Sequence, residues 1–297
     1  MVSSLKDYIK AKGMARNFTS ISGRQAAFLC ALLLTVVAFT DGKYIPRLPD
    51  LIILVLFFWI TILFIYGLYI RLQHLITQQA SAVIQANRLD YQNAEALITI
   101  LSPLSTRLPL PPTRGWAASP DFLRLIVNNI LTHKPQTVVE LGSGVSTLYS
   151  GYALEKNGFG KLYSIDHDQA FLAITARNAE AHQLDGYIEF IHAPLTPIPL
   201  GQQQWIWYAD MVARLPEINL LVVDGPPGNT QNNARYPALP LLYAKLAPNA
   251  IIVVDDYNRE QDKATVAMWL KQFPDLSLIE IENEKGAAIL LKGEARI

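Results

Sequence analysis

Four short stretches of this chain hold residues whose types and spacing could do chemistry. The first is Val138-Val139-Glu140-Leu141-Gly142-Ser143-Gly144-Val145-Ser146-Thr147, an apolar run ending in an acid and two glycines just before a helix start. Glycines at such a turn let backbone come close to a ligand, and the helix N-terminus behind them favours an anionic group. A dinucleotide-binding turn wants a third glycine where this chain has Thr147. The second is Asp166, which closes the next apolar run. A carboxylate there can accept both hydroxyls of a ribose, or it can cap the following helix. His167 and His192 also fall at strand ends, where surface or base-edge positions are the ordinary alternatives to catalysis.

The third and fourth stretches are Leu221-Val222-Val223-Asp224-Gly225-Pro226-Pro227-Gly228 and Ile251-Ile252-Val253-Val254-Asp255-Asp256. Both read as buried strands ending in carboxylates. On neighbouring strands Asp224, Asp255 and Asp256 would share one cleft, where like charges repel unless something positive intervenes. A hard divalent cation such as Mg2+, held by Asp224, Asp255 and Asp256, would supply that charge and orient a hydroxyl. Arg235 and Arg259 would supply it without a metal. In the second case Asp224 is the candidate general base.

These residues need a scaffold that brings strand ends together, and the pattern supplies one. Strands are expected at Thr137–Leu141, Lys161–Asp166, Tyr187–His192, Leu220–Asp224 and Ile251–Asp255, alternating with helices at Ser146–Lys156, Gln169–His182, Pro237–Leu246 and Gln261–Gln272. Apolar strands alternating with helices predict an α/β fold with a parallel sheet covered on both faces. Leu276–Ile281 and Ala287–Leu291, joined through Asn283-Glu284-Lys285-Gly286, read as a terminal antiparallel hairpin. Ligands of such sheets bind beyond the carboxyl ends of the strands where the strand order reverses, and every residue singled out above falls at such an end.

The N-terminal third is different. Hydrophobic residues make up 51% of the chain and the mean hydropathy is +0.20, an excess concentrated in two runs. Leu51–Ile70 carries no charge over about twenty residues, enough to span roughly 30 Å of hydrocarbon; a buried core helix is the alternative. Ala26–Thr40 is also uncharged but only about fifteen residues long, which leaves a re-entrant segment or a signal-peptide core open. Lys6, Lys10, Lys12, Arg16 and Arg24 precede the first run, so the positive-inside rule puts the N-terminus in the cytoplasm and two crossings return the chain to it.

The expected organisation is a cytoplasmic segment over 1–24, a transmembrane helical hairpin over 25–70, an amphipathic stalk and Pro-rich linker over 71–110, and the α/β domain over 111–297, entered near Trp116 with Ser119 as N-cap and Pro120 in the first turn. The stalk would pack on its own domain or join two copies as a homodimer. A formal net charge of zero gives no basic field for nucleic acid. The single cysteine, Cys30, excludes an internal disulfide and a cysteine-based zinc site.

Taken in order, Glu140-Leu141-Gly142-Ser143-Gly144, Trp207-Tyr208, Asp224-Gly225-Pro226-Pro227-Gly228, Ala234-Arg235-Tyr236-Pro237-Ala238-Leu239-Pro240 and Asp255-Asp256 with Arg259 resemble bacterial, often membrane-anchored, class I S-adenosylmethionine-dependent methyltransferases. The resemblance covers roughly Pro111 to Leu291. It implies a Rossmann-like seven-stranded sheet with a terminal antiparallel hairpin, and S-adenosylmethionine as cofactor. Glu140, Gly142, Ser143, Gly144, Asp166 and His167 would bind it, with the helix N-terminus near Ser146 facing the methionine carboxylate and Glu140 meeting the amino group. Asp224, Asp255 and Arg235 are the candidate catalytic residues, and a small-molecule or glycan-linked hydroxyl is the expected methyl acceptor.

A more distant similarity, to metal-dependent O-methyltransferases, implies Mg2+ on Asp224, Asp255 and Asp256. The lysine base that catechol-type relatives carry after the fourth-strand aspartate is missing; Pro226-Pro227-Gly228 stands there. A cytosolic cofactor agrees with a domain on the cytoplasmic side of the membrane. The alternatives are an inactive tethered scaffold on the same fold, opposed by the intact Glu140, Gly142, Gly144 and Asp166, and a nicotinamide oxidoreductase, opposed by Thr147 and the hairpin.

Overall fold

A computed structural model describes residues 48–113, 115 and 117–295. The apolar run Ala26–Thr40 with Cys30, the cations ahead of it, and Trp116 lie outside the described residues. The chain divides into two compact units, Met1–Ala80 and Ser81–Ile297.

In the first unit, helix α1 (Leu48–Leu101) begins. No charged residue or proline interrupts Leu51–Ile70, and most of its large apolar side chains are exposed, Phe57 and Phe64 at 66% each. Among the described residues one helix is long and apolar enough to cross a membrane, and none of its most apolar window is buried. A core helix of a soluble protein would hide that surface.

In the second unit the last turns of α1 bury Asn93, Ala96 and Ile100, and Asn93 donates to Glu284 Oε2 at 2.6 Å. The end of the stalk therefore packs on its own domain. The proline-rich segment after it is tied down where Arg107 meets Glu155 and its N–H reaches the Tyr152 hydroxyl at 2.9 Å. Helix α2 (Pro120–His133) starts as expected from Ser119, but the Ser119 side chain makes no cap. Its hydroxyl bonds Asp121, whose carboxylate takes the Phe122 N–H at 2.8 Å.

The remaining elements are β1 (Thr137–Leu141), α3 (Val145–Asn157), β2 (Lys161–Asp166), α4 (Gln169–Ala181), β3 (Ile188–His192), β4 (Leu195–Leu200), β5 (Gln203–Tyr208), β6 (Ile218–Val223), α5 (Ala238–Leu242), β7 (Leu246–Val254), α6 (Glu260–Gln272), β8 (Leu276–Ile281) and β9 (Ala287–Lys292). Seven strands form one sheet in the order β3-β2-β1-β6-β7-β9-β8. β3, β2, β1, β6 and β7 run parallel in it, and β9 lies antiparallel to both β7 and β8. The expected parallel sheet with its terminal hairpin is present.

Alternation along the central strands explains why they are mostly apolar. Val138, Leu220, Val222, Ile251 and Val253 pack on one face with α2 and α3. Val139, Leu141, Leu221, Val223, Ile252 and Val254 pack on the other with Val266 and Trp269 of α6. Successive side chains point to opposite faces, so a strand covered on both sides turns apolar residues to each of them.

Two expectations need correction. The helix predicted over Pro237–Leu246 is only α5, followed by a 3-10 turn at Tyr243–Lys245, because Leu246 already pairs with Ile218 on β6. Between His192 and Leu220 no element was expected, yet β4 and β5 form a separate antiparallel pair, with Leu195 opposite Tyr208. Pro197 and Pro199 argue against a strand, but a two-stranded ribbon is all edge, where a missing N–H goes unnoticed.

The order reverses between β1 and β6, and there backbone meets backbone. Asp224 N–H donates to Leu141 O at 3.0 Å, and Gly142, at φ +100°, lies so close that a Cβ on it would come within 3.3 Å of the Asp224 carbonyl. Gly142→Ala combines a left-handed backbone with a contact that only backbone can relieve. It should lower unfolding stability by about 1–3 kcal/mol, whereas Gly186→Ala, whose Cβ would meet nothing within 4 Å, should stay within about 0.5 kcal/mol. Chemical denaturation of the two variants beside wild type checks this.

Candidate functional site

Glu140 sits one residue from the end of β1, 1% exposed. Its Oε2 accepts from Thr147 Oγ1 at 2.5 Å and from Ser164 Oγ at 2.9 Å, while Oε1 has no hydrogen-bond partner. Thr147 also takes the Gly144 N–H at 3.0 Å, so the residue that breaks the dinucleotide pattern ties the turn to the buried acid. Ser164 faces Glu140 because the two are register partners on β2 and β1. Burial pushes the Glu140 carboxyl up to about 7, an effect the hydroxyls of Ser146, Thr147 and Ser164 only partly offset. Around Gly144 the turn is open: a Cβ there would meet nothing within 4 Å.

Asp166 ends β2 beside this turn. Its Oδ2 accepts the Ser143 N–H and its Oδ1 the Asp168 N–H, each at 2.8 Å, and His167 Nδ1 lies 3.2 Å from Oδ1. The helix-capping alternative for Asp166 is not what is seen: Asp168 caps α4, accepting from Ala170 and Phe171. The His167 ring lies edge-on to Tyr208 with centroids 6.4 Å apart, and Tyr208 carries a buried hydroxyl without a partner. His192, on β3, reaches the His167 carbonyl at 3.2 Å and is exposed.

Across the reversal, the ends of β6 and β7 bring Asp224, Asp255 and Asp256 together, with one carboxylate oxygen of each within 4.8 Å of the others. Arg235 enters this group, 3% exposed. Its Nη2 donates to Asp256 Oδ2 at 2.8 Å and to Asp224 Oδ1 and O at 3.1 Å, and its Nη1 donates to Asp255 O at 2.7 Å. Asp262, from the first turn of α6, stands 3.6 Å from Nη1, and Arg259 Nη1 reaches Asp256 Oδ2 at 2.8 Å. Asp255 Oδ1 remains buried and unpartnered.

Burial, and then the neighbouring charge of Asp256, raises the Asp255 carboxyl to about 6. Burial, reinforced by Asp255, drives Asp224 well above the ordinary range, with Arg235 pulling the other way. Burial would lower the Arg235 guanidinium, but the surrounding aspartates reverse this and hold it above its usual value. A cavity of about 480 Å3 opens beside the group, lined by Gly228, Asn229, Arg235, Arg259, Gln261 and Asp262 among others.

Residues 139–257 match a family described as a methyltransferase domain. The chain carries a methyltransferase domain. A comparison with curated proteins gives no match. Among solved structures, it is similar to a methyltransferase from Geobacter sulfurreducens (19% identity, 58% of this chain and 78% of that one, TM-score 0.45). It is also similar to the Podospora anserina methyltransferase PaMTH1 bound to SAH (12%, 71% and 96%, 0.48) and to the O-methyltransferase TomG from Streptomyces achromogenes in complex with SAM (14%, 60% and 81%, 0.45).

The expected residues thus form two groups in the methyltransferase domain, Glu140 to Gly144 with Asp166 and His167, and Asp224 with Arg235, Asp255 and Asp256. Sequence reasoning named Thr147 and Tyr208 without giving them a place in the site, and missed Ser164 and Asp262. A lone serine inside the apolar run of β2 was a usable signal for Ser164. Asp262 gave none, because an acid in a first helical turn reads as a dipole complement.

The raised Glu140 carboxyl makes a pH prediction. Its folded value of about 7 lies above the ordinary 4.5, so its contribution to stability is complete below pH 4.5 and is lost as pH rises through 7. That loss amounts to about 3 kcal/mol. Glu140→Gln abolishes it, so the variant should gain on wild type as pH increases from 5 to 8 in ligand-free unfolding curves. A difference independent of pH would contradict the assignment.

Proposed function

We propose that this domain transfers the methyl group of S-adenosylmethionine to a hydroxyl oxygen of a small or glycan-linked acceptor at the cytoplasmic face of a membrane. The observation that carries the reading is the Gly142–Gly144 turn, open around Gly144 and flanked by Glu140 with a free Oε1 and by Asp166. These residues fit the cofactor. Asp166 would exchange its backbone donors for ribose hydroxyls, Glu140 would take the amino group directly or through water, and the N-terminus of α3 would face the carboxylate. His167 and Ser143 would line the same side.

When bound, S-adenosylmethionine supplies an electrophilic methyl group on a sulfonium. The chain supplies position and a proton acceptor. Asp224 is the base in this reading: its side chain is 22% exposed against 6% for Asp256, and its raised basicity suits proton removal from a hydroxyl. Arg235 holds Asp224 in place through both its carbonyl and its carboxylate. The adjoining cavity has no aromatic or large aliphatic side chain in its lining; Asn229, Gln261, Arg259, Glu260 and Asp262 suit a polyhydroxylated acceptor better than a flat aromatic one. The exposed apolar helix Leu51–Ile70 and the cations ahead of Ala26 support the membrane side of the reading.

Calorimetry of the full chain in detergent with S-adenosylhomocysteine tests the cofactor assignment. Wild type should bind in the micromolar range, and Asp166→Ala about 10- to 100-fold more weakly through loss of charged hydrogen bonds. Asp224→Asn should bind within about twofold of wild type, yet incorporate labelled methyl into a glycan and glycolipid panel at least about 100-fold more slowly. Equal affinity in wild type and Asp166→Ala sinks the ribose assignment, and no binding by folded wild type sinks the reading as a whole.

A further inference from the structure

We propose that Arg235 is a built-in counter-cation that occupies the place of a divalent metal ion, so that the site of Asp224, Asp255 and Asp256 works without one. The inference rests on the acceptor-side reading of this cluster given above.

By spacing alone the three carboxylates could hold a hard cation, since their oxygens lie within 4.8 Å of one another. The donors of Arg235 are already there. Nη2 bonds the carboxylates of two of the three residues, Asp224 Oδ1 at 3.1 Å and Asp256 Oδ2 at 2.8 Å, and the guanidinium also holds the backbone carbonyls of Asp224 and Asp255. Asp256 Oδ2 accepts a second guanidinium, Arg259 Nη1, at 2.8 Å. Two charged donors commit the two acceptor positions of that oxygen.

A divalent ion of this class needs six or more oxygens at roughly 2.0–2.6 Å. Here it would have to displace Arg235 from Asp224 and Asp256 while standing beside its charge. Arginine does not lose a proton to make room, and leaving the cluster would break its four hydrogen bonds to Asp224, Asp255 and Asp256. Positive charge is already supplied here: Asp224, Asp256 and Asp262 face Arg235, and Asp256 also faces Arg259.

The decisive measurement is titration of the metal-stripped full chain in detergent with Mn2+, free ion being read by electron paramagnetic resonance. Wild type should take up no stoichiometric Mn2+ below the millimolar range. Arg235→Gln, which uncovers the carboxylates, should bind at least 10-fold more tightly than wild type and gain thermal stability on Mn2+ addition. Arg235→Lys keeps the charge and should remain as indifferent to Mn2+ as wild type. If Arg235→Gln does not fold, wild type and Arg235→Lys decide the matter. One equivalent bound by wild type at micromolar affinity and lost in Asp255→Asn overturns the proposal. So does a folded Arg235→Gln that binds no better than wild type. A wild type that ignores both Mn2+ and S-adenosylhomocysteine refutes the cofactor assignment and leaves this one standing.

Discussion

The contact on which the site depends is the one between two backbone turns at the reversal of strand order. Gly142 after β1 and Gly225 after β6 approach so closely that neither accepts a side chain: a Cβ on Gly225 would collide with the Tyr208 hydroxyl and lie 3.1 Å from Leu141 O. The hydrogen bonds Gly142 N–H to Ile165 O at 2.8 Å and Asp224 N–H to Leu141 O at 3.0 Å lock three strand ends at one level. The positions of Glu140, Asp166 and Asp224 follow, since each is within two residues of that seam. A substitution that parts the two turns would separate the two halves of the site without touching any polar side chain in either.

Each half keeps buried acids by a different physical device. Glu140 is surrounded by hydroxyls, which bond a carboxylate but carry no charge, so burial wins and its carboxyl rises to about 7. The aspartates at β6 and β7 have a guanidinium among them, yet Asp255 still rises to about 6 because burial, and then the charge of Asp256, outweighs the lowering effect of Arg235, whose Nη1 bonds the Asp255 carbonyl. Both halves therefore retain a buried oxygen with nothing to bond, Glu140 Oε1 and Asp255 Oδ1. Leaving such atoms unsatisfied costs stability, and that cost is compensated if a ligand completes them.

How far this was legible follows from how local each signal is. β1 and β2 were placed to the residue, because each is a short, mostly apolar run whose end is marked by glycine or acid. Glu140, Asp166, Asp224 and Asp255 stood out as candidates for the same reason, since ligands of open parallel sheets bind at strand ends. The pair β4 and β5 was not, because Pro197 and Pro199 contradict strand propensity and only the pairing with Gln203–Tyr208 overrides them. The grip of Arg235 on four acceptors joins residues from the ends of β6 and β7 and the loop between. The sequence carried the charge count and left open whether arginine or metal balanced it. Asp262 joins that group from α6 without any local mark.

The proposed reaction explains why neutrality of the acidic group matters. Methyl transfer from a sulfonium to an oxygen disperses the positive charge on sulfur as the new bond forms. A strongly anionic site beside that centre would stabilise the charged ground state more than the transition state, which raises the barrier. Four uncompensated aspartates at the ends of β6, β7 and α6 would be such a site. Arg235, fixed by hydrogen bonds to Asp224 and Asp256, cancels part of that field without adding a mobile ion. What remains for an incoming hydroxyl is a basic oxygen on Asp224 in a partly neutralised setting, and that serves proton removal better than a dense negative cluster would.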